Sequence, residues 1–493
     1  MGMTFGQAID EETKWGSTWN GADAIVRTGS ACVDMLGRMG AMRANRVEDK
    51  LQLFEAAWNE NPLYALRLLF YTRDVRGGYG ERDTFKQVLH YLANKNPEVV
   101  EKNLWAILEF GRASDLYALI DTKAEDFMWK FMKDQFELDL TNMEAGKSIS
   151  LLAKWIASPD SSVEATKALG IKTAKKFGYN FKHMREYRKK LRALRKYLDI
   201  PEAKMCAGKW NEIEYSKCGS KFLAKKSAAC KRHDEERFNA YFESVKSGEA
   251  KINTATLTPV DVLIKALKGE VEEADVLWDN LKTVCEHNAL VMCDTSGSME
   301  QFYGMSVKPI EVAAAMSIYF AERNVGDFKN KFLTFCSYPD FVEIKGTNLV
   351  EKYRSIVNAH WGSSTNLEAA FDLVLDTANK YHIANEDMPK CIVIISDMQI
   401  NSCVYSVEDN KLTFYDQMSK RFEEAGYTMP HVVFWNVNAM NATFHASMSD
   451  NGVGLVSGYS ANVFKSVMEN IGRTPYDLMV SIVESDRYKN ITI

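Results

Sequence analysis

The chain has no run of 18 or more apolar residues among its 493, so no membrane-spanning helix is expected. Its first residues, Met-Gly-Met-Thr-Phe-Gly-Gln-Ala-Ile-Asp, have no basic stretch leading into an apolar core, which argues against a secretory signal. Cysteine is sparse and unpaired in pattern: there are nine, none in a Cys-x-x-Cys arrangement, and several (Cys285, Cys293, Cys336, Cys391) lie inside apolar stretches. That usage suits a reducing compartment better than a disulfide framework, and a cytoplasmic location is expected. Cys206, Cys218, Cys230 and His233 invite a zinc reading, but their spacing of 12, 12 and 3 has no Cys-x-x-Cys pair of the kind zinc sites usually use, and buried thiols in helices are the default expectation. Gly-Lys-Ser/Thr is missing, so there is no nucleotide-hydrolase phosphate loop, and the eight histidines follow no nucleophile-base-acid order. Catalysis is not expected.

What remains is an ordinary globular composition, 46% hydrophobic and 26% charged, long enough for two or three domains. The net charge of −5 hides a strong segregation. Residues 167–232 hold 20 Lys+Arg against 5 Asp+Glu, a local charge of +15, which leaves −20 for the rest. Such segregation is an electrostatic footprint for a polyanion.

The stretch 289–299, Ala-Leu-Val-Met-Cys-Asp-Thr-Ser-Gly-Ser-Met, carries the most chemical information. An apolar strand ends in Asp294-x-Ser296-x-Ser298, which gathers one carboxylate and two hydroxyls at its carboxyl end. Oxygen ligands of this kind suit a hard cation such as Mg²⁺, which takes about six oxygens and keeps several waters. Downstream come Gly362-Ser363-Ser364-Thr365-Asn366 in a loop before a helix, and Lys390-Cys-Ile-Val-Ile-Ile-Ser-Asp397, a second apolar strand ending in an acid. This order resembles the metal-ion-dependent adhesion site of von Willebrand factor A domains. Ser364 and Met398 stand where that family often has glycine. The resemblance implies that Ser296, Ser298 and Thr365 bind the metal directly, with Asp294 and Asp397 acting directly or through water. It also implies an open position for a partner's carboxylate. Candidate strands at 288–293, 331–336, 341–345, 390–396, 431–437 and 453–457 alternate with helices at 308–323, 349–357, 366–382, 412–425 and 460–471. That alternation predicts a mostly parallel, doubly wound α/β sheet, with ligands beyond the carboxyl ends of its strands.

Residues 48–260 show helical rather than strand periodicity. Apolar stripes such as Leu51, Phe54, Ala57, Trp58 are broken by Asn61-Pro62, Gly77-Gly78, Asn96-Pro97 and Ser158-Pro159. Short helices with short joints predict stacked pairs in a HEAT-like solenoid, although no strict repeat is present. Within it lies Arg73-Asp-Val-Arg76-Gly-Gly-Tyr-Gly-Glu-Arg82-Asp83. Its glycines permit left-handed turns, and a helix starting near Arg82 would offer free amides to an anion. The competing expectation is an inter-helix turn in which Arg73 and Arg76 pair with Asp74, Glu81 or Asp83.

Leu68–Arg82, the later Pro97…Asn103-Leu…Glu109-Phe-Gly-Arg-Ala-Ser-Asp-Leu116 and the C-terminal motifs together resemble an uncharacterised family of helical-plus-A-domain proteins. That family is similar in architecture to TROVE proteins, the group of the Ro autoantigen. The resemblance implies a helical-repeat domain over residues 1–280 and an A domain over 281–493. It further implies a ribonucleoprotein component that binds small structured RNA on a basic surface, in which RNA ends enter a helical ring closed by the A domain. Lys175, Lys176, Lys182, Arg185, Arg188, Lys189, Arg192, Arg195 and Lys196, with Arg76 in the glycine-rich turn, are the candidate RNA contacts. On 184–198 the apolar stripe Met184, Tyr187, Leu191, Leu194, Leu198 opposes a basic face, which can neutralise phosphates. The interleaved tyrosines read as core. The alternative is a metal-dependent protein-interaction scaffold without RNA, its basic face engaging an acidic protein.

Overall fold

A computed structural model describes residues 15–281, 288–301, 307–334, 338–359, 365–400 and 413–493, apart from residues 19, 22, 441, 442 and 461. The expected loop residues Gly362, Ser363 and Ser364, and the ends of the expected elements at 335–336 and 412, lie outside the described residues. The chain forms two compact units. The first takes the described residues through Leu68, then Gly77–Tyr79 and Thr254–Lys489; the second takes Leu69–Arg76, Gly80–Asn253 and Asn490–Ile493. This division departs from a single cut at residue 280.

The first unit is built on a six-stranded sheet: β3 Ala289–Cys293, β4 Lys331–Thr334, β5 Phe341–Glu343, β6 Cys391–Ser396, β7 His431–Asn436 and β8 Val453–Ser457. A separate antiparallel hairpin, β1 Trp15–Ser17 and β2 Asp23–Ile25, precedes it. The spatial order β5-β4-β3-β6-β7-β8 is parallel except for the edge pair β4–β5. Every residue of β3, β6 and β8 is buried, which is why these segments are apolar throughout rather than alternating. The helix Pro309–Arg323 is buried almost all round, with Ala313, Ala314 and Ala315 allowing close approach.

Helices that the sequence division assigned elsewhere belong to this unit for a packing reason. Trp278, on the helix Val271–Asp279, is fully buried, and its Nε1–H donates to Glu322 Oε2 at 2.6 Å. The helix Ala31–Arg38 lies so close to the sheet that a Cβ on Gly37 would stand 2.9 Å from the Phe444 ring and 3.7 Å from Leu455. A backbone bridge ties the hairpin in as well, with Ile25 N donating to Phe444 O at 3.0 Å and Phe444 N to Ile25 O at 2.8 Å.

The second unit has no strand among its described residues and is built from helices including Asp83–Lys95, Glu125–Glu144, Glu164–Lys176, Met184–Tyr197 and Ser220–Lys246. Phe136, Phe177 and Tyr187 form one aromatic cluster, with ring centroids 5.3 to 6.1 Å apart. Tyr187 is therefore core, as its place on the apolar stripe predicts. The last residues close on this unit: Asn103 Nδ2 donates to Thr492 O at 2.7 Å and Thr492 N to Asn103 Oδ1 at 3.2 Å.

Candidate functional site

The strand order of the sheet reverses between β3 and β6, and Asp294 and Asp397 each follow one of those two strands. Crevices at such switch points are where open α/β sheets bind ligands. Asp294, Ser296, Thr365 and Asp397 are all buried. Asp294 Oδ1 accepts the Ser296 N–H at 2.8 Å, and Oδ2 accepts the Ser396 hydroxyl at 2.5 Å. The Ser296 and Ser298 hydroxyls lie 3.1 Å apart, the Ser298 hydroxyl is hydrogen-bonded to Asp397, and Asp397 Oδ1 accepts the Gln399 N–H at 3.2 Å. Thr365 Oγ1 is 3.5 Å from Asn20 Nδ2. Through these bonds the structure brings Ser296 and Ser298 together with both acids. Among the described residues no three His, Cys, Asp or Glu side chains cluster as a metal site; the polar groups gathered here are the two serine hydroxyls and the two carboxylates.

Burial dominates the electrostatics of the two acids. Burial raises the pKa of Asp294, against the hydrogen bonds from Ser396 and Ser296. Asp397 is pushed up to about 7, first by burial and then by the neighbouring charge of Asp294. Two acids sharing a buried crevice raise each other's pKa unless a positive charge joins them. Both Asp294 oxygens are engaged by protein donors.

Three contributors escaped the sequence reading. Ser396 is the polar residue of an otherwise apolar strand and clamps Asp294. Asn20 arrives from the β1–β2 hairpin and donates to Gln399 O at 2.6 Å. Fully buried His445 meets Met398 O through Nε2 at 3.1 Å. Met398 itself has φ +64°, the left-handed region that glycine enters without cost. That explains the glycine common at this position. Here the Met398 N–H donates to Ser396 Oγ at 2.9 Å, which holds the strained turn.

The basic tract divides into committed and uncommitted cations. Arg188 Nε sits 2.7 Å from Asp160 Oδ1, off the hydrogen-bond axis, and Lys176 pairs with Asp126 at 3.4 Å. Arg195 is mostly buried and donates to the carbonyls of Ala153 (2.9 Å) and Ile156 (3.0 Å), so it holds a helix end and is no free contact. Burial lowers its pKa. Lys190 is taken by Glu186 and Tyr179. In contrast Arg185, Lys189, Arg192 and Lys196 are exposed and make no side-chain hydrogen bond or ion pair among the described residues. They recur at i, i+4, i+7 and i+11 on the helix Met184–Tyr197, a line about 16 Å long at 1.5 Å per residue. Lys175 and Lys182 are also exposed. Phe181, beside Lys182, is 92% exposed.

The glycine-rich turn is organised by an acid outside it. Arg73 Nε and Arg82 Nε lie 2.7 and 2.8 Å from the two oxygens of fully buried Asp115. The Arg112 N–H adds a third bond at 3.1 Å. Asp115, and none of the nearby acids Asp74, Glu81 or Asp83, thus holds Arg73. A Cβ on Gly111 would stand 2.8 Å from Asp115 Oδ2, so this position needs glycine. Of Gly77, Gly78 and Gly80, only Gly80 takes a positive φ, +72°. Arg76 is exposed; its N–H is held by Asp74, and its Nη1 is 3.5 Å from Glu109 O.

The fold and crevice define the class: an α/β domain with the strand order of doubly wound proteins, on one chain with an all-helical unit. The chain belongs to the family described as domain of unknown function DUF2828, which matches residues 18–110 and 106–292. A second domain of unknown function, DUF7788, matches residues 288–488. An uncharacterised protein of Acanthamoeba polyphaga mimivirus, L728, is 28% identical over 95% of this chain and 87% of its own length. The crystal structure of the Deinococcus radiodurans Ro (RSR) protein, 14% identical, aligns over 93% of each chain with a TM-score of 0.38. No described helix is long and apolar enough to cross a membrane.

Proposed function

We propose that this protein is an RNA-binding ribonucleoprotein component rather than an enzyme. Its helical unit would be a HEAT-like repeat domain that grips RNA, and its sheet unit a von Willebrand factor A-like domain holding Mg²⁺. The observation that carries the RNA reading is the line Arg185, Lys189, Arg192, Lys196. Like charges at these spacings cost a helix about 0.2–0.5 kcal/mol per neighbouring pair, and among the described residues no acid pairs with them. The line weakens the fold and suits a polyanion. Exposed Phe181 beside it fits stacking of an unpaired base.

Contact with four phosphates gives a salt slope of about −3 in log K against log [salt] for a single strand, at −0.7 per contact. Reversing Arg185, Lys189, Arg192 and Lys196 to Glu should flatten that slope and abolish binding while the circular dichroism spectrum stays native. RNA affinity that survives the reversal would refute the assignment. Binding of an acidic protein, without RNA, would favour the scaffold reading.

For the metal, Ser296, Ser298 and Thr365 would be the direct ligands, with Asp397 beside them and Asp294 acting through water. Bound Mg²⁺ would supply a Lewis-acidic position for a partner's Asp or Glu. The two buried acids support this reading, because the cation removes their mutual repulsion.

A further inference from the structure

The second unit contains a cavity of about 960 Å³ between the helix Met184–Tyr197, the turn at Ser158–Asp160 and the segment from Ile200 to Glu212. That size is at the upper end of small-molecule sites, which run from roughly 300 to 1,000 Å³. Its floor is apolar, with Leu191 and Ile200 buried beneath it. Its walls carry seven Lys or Arg and four Asp or Glu.

Each acid faces a cation, although Glu202 Oε2 is buried without a hydrogen bond. Asp160 faces Arg188 at 2.7 Å and Glu202 faces Lys154 at 3.5 Å. Asp199 holds Lys204 at 2.7 Å, and Glu212 holds Lys209 at 2.6 Å. Three positive charges remain, those of Arg192, Arg195 and Lys196. Arg195 commits its Nε and one Nη2 donor to the Ala153 and Ile156 carbonyls and keeps its charge. Arg192 and Lys196, one turn apart at the exposed side, keep both charge and donors.

We propose that this cavity binds the phosphomonoester of a nucleotide, with Arg192 and Lys196 on the phosphate and the Leu191–Ile200 floor under the rest. An interior phosphodiester carries one negative charge, whereas a phosphomonoester carries about −1.5 to −2 at neutral pH, the better match to three surplus positive charges. Arg presents a planar fork that takes two phosphate oxygens at once, and Lys adds a point charge. The nucleotide is either a phosphorylated RNA end, which rests on the RNA-binding reading above, or a free mononucleotide, which does not.

The test compares a short oligouridine with 5′-phosphate, 3′-phosphate or hydroxyl ends, by fluorescence anisotropy, with AMP titrated separately by calorimetry. A phosphorylated end should bind about tenfold tighter than the hydroxyl form, equal to about 1.4 kcal/mol. Arg192→Ala with Lys196→Ala should erase that ratio. Arg185→Ala with Lys189→Ala, on the same helix but outside the cavity wall, should weaken all the oligonucleotides and keep the ratio. Native melting curves for both variants exclude unfolding. Equal affinity for phosphorylated and hydroxyl ends, with no AMP binding, overturns the cavity proposal and leaves the RNA reading standing. AMP binding lost in the Arg192/Lys196 variant, without affinity for any oligonucleotide, supports the cavity as a mononucleotide site and sinks the RNA reading. No binding of any of them refutes both.

Discussion

Asp115→Ala is the most exacting test of how the helical unit is held together. The substitution removes a carboxylate that meets Arg73 at 2.7 Å, Arg82 at 2.8 Å and the Arg112 N–H at 3.1 Å. Arg82 is 41% exposed and can turn to water, but Arg73 is 1% exposed and cannot. Breaking a buried pair from one side leaves an uncompensated charge, which costs about 3–5 kcal/mol. For a domain of 150–250 residues each kcal/mol moves Tm by about 2–4 °C, so the expected fall is roughly 6–20 °C. Differential scanning calorimetry on the full chain reads it. The companion Asp115→Leu with Arg73→Met removes both buried charges and should recover most of the loss, because apolar replacement of a buried pair is often near neutral. A fall below about 3 °C for Asp115→Ala would refute the reasoning, since it would mean that Arg73 finds water or another acid at little cost.

Other outcomes follow from the same geometry. Mg²⁺ at about a hundred times its Kd should stabilise the sheet unit by about 2.7 kcal/mol; Asp294→Ala with Ser296→Ala should abolish that thermal shift, and a retained shift would refute the site. Fully buried His445 has its pKa lowered by burial to about 4, below its ordinary 6.5. The unfolded chain therefore takes the proton first, so stability is intact above pH 6.5 and falls toward pH 4 by up to about 1.36 kcal/mol per unit. Urea midpoints across that window should be flatter for His445→Gln by one proton's worth. Gly170→Ala should cost about 1–3 kcal/mol by overpacking, because its Cβ would stand 2.3 Å from Ser158 C and 2.4 Å from Pro159 N; an unchanged Tm would contradict that packing.

The six sheet strands were legible to within one or two residues of their described ends: β3, β6, β7 and β8 because buried parallel strands are apolar at nearly every position, and β4 and the exposed antiparallel edge strand β5 from short runs of strand-forming residues. The helix Pro309–Arg323 was legible for a similar reason, since an expected helix at 308–323 needs only its periodicity and Pro309. The hairpin β1–β2 was not, because three-residue strands carry too little pattern, and Asn20 was lost with it. Asp115 could not be chosen over Asp74 or Glu81 as the partner of Arg73. The pairing spans 42 residues and depends on how two helices meet. The basic face of Met184–Tyr197 was visible from periodicity alone. Which cations are spent was not, because Asp160 and Asp126 come from other elements. Ser396 looked like the end of a strand, and only the parallel register of β3 with β6 brings its hydroxyl to Asp294.

The central claim is that the helical unit carries RNA on the line Arg185, Lys189, Arg192, Lys196. The most direct measurement is to purify the chain natively, extract whatever nucleic acid accompanies it and sequence that material, beside the four-fold Glu variant. A discrete RNA with the native chain, absent from the variant, is the predicted result. Native protein free of RNA, with no salt-sensitive binding to added RNA, would contradict the account.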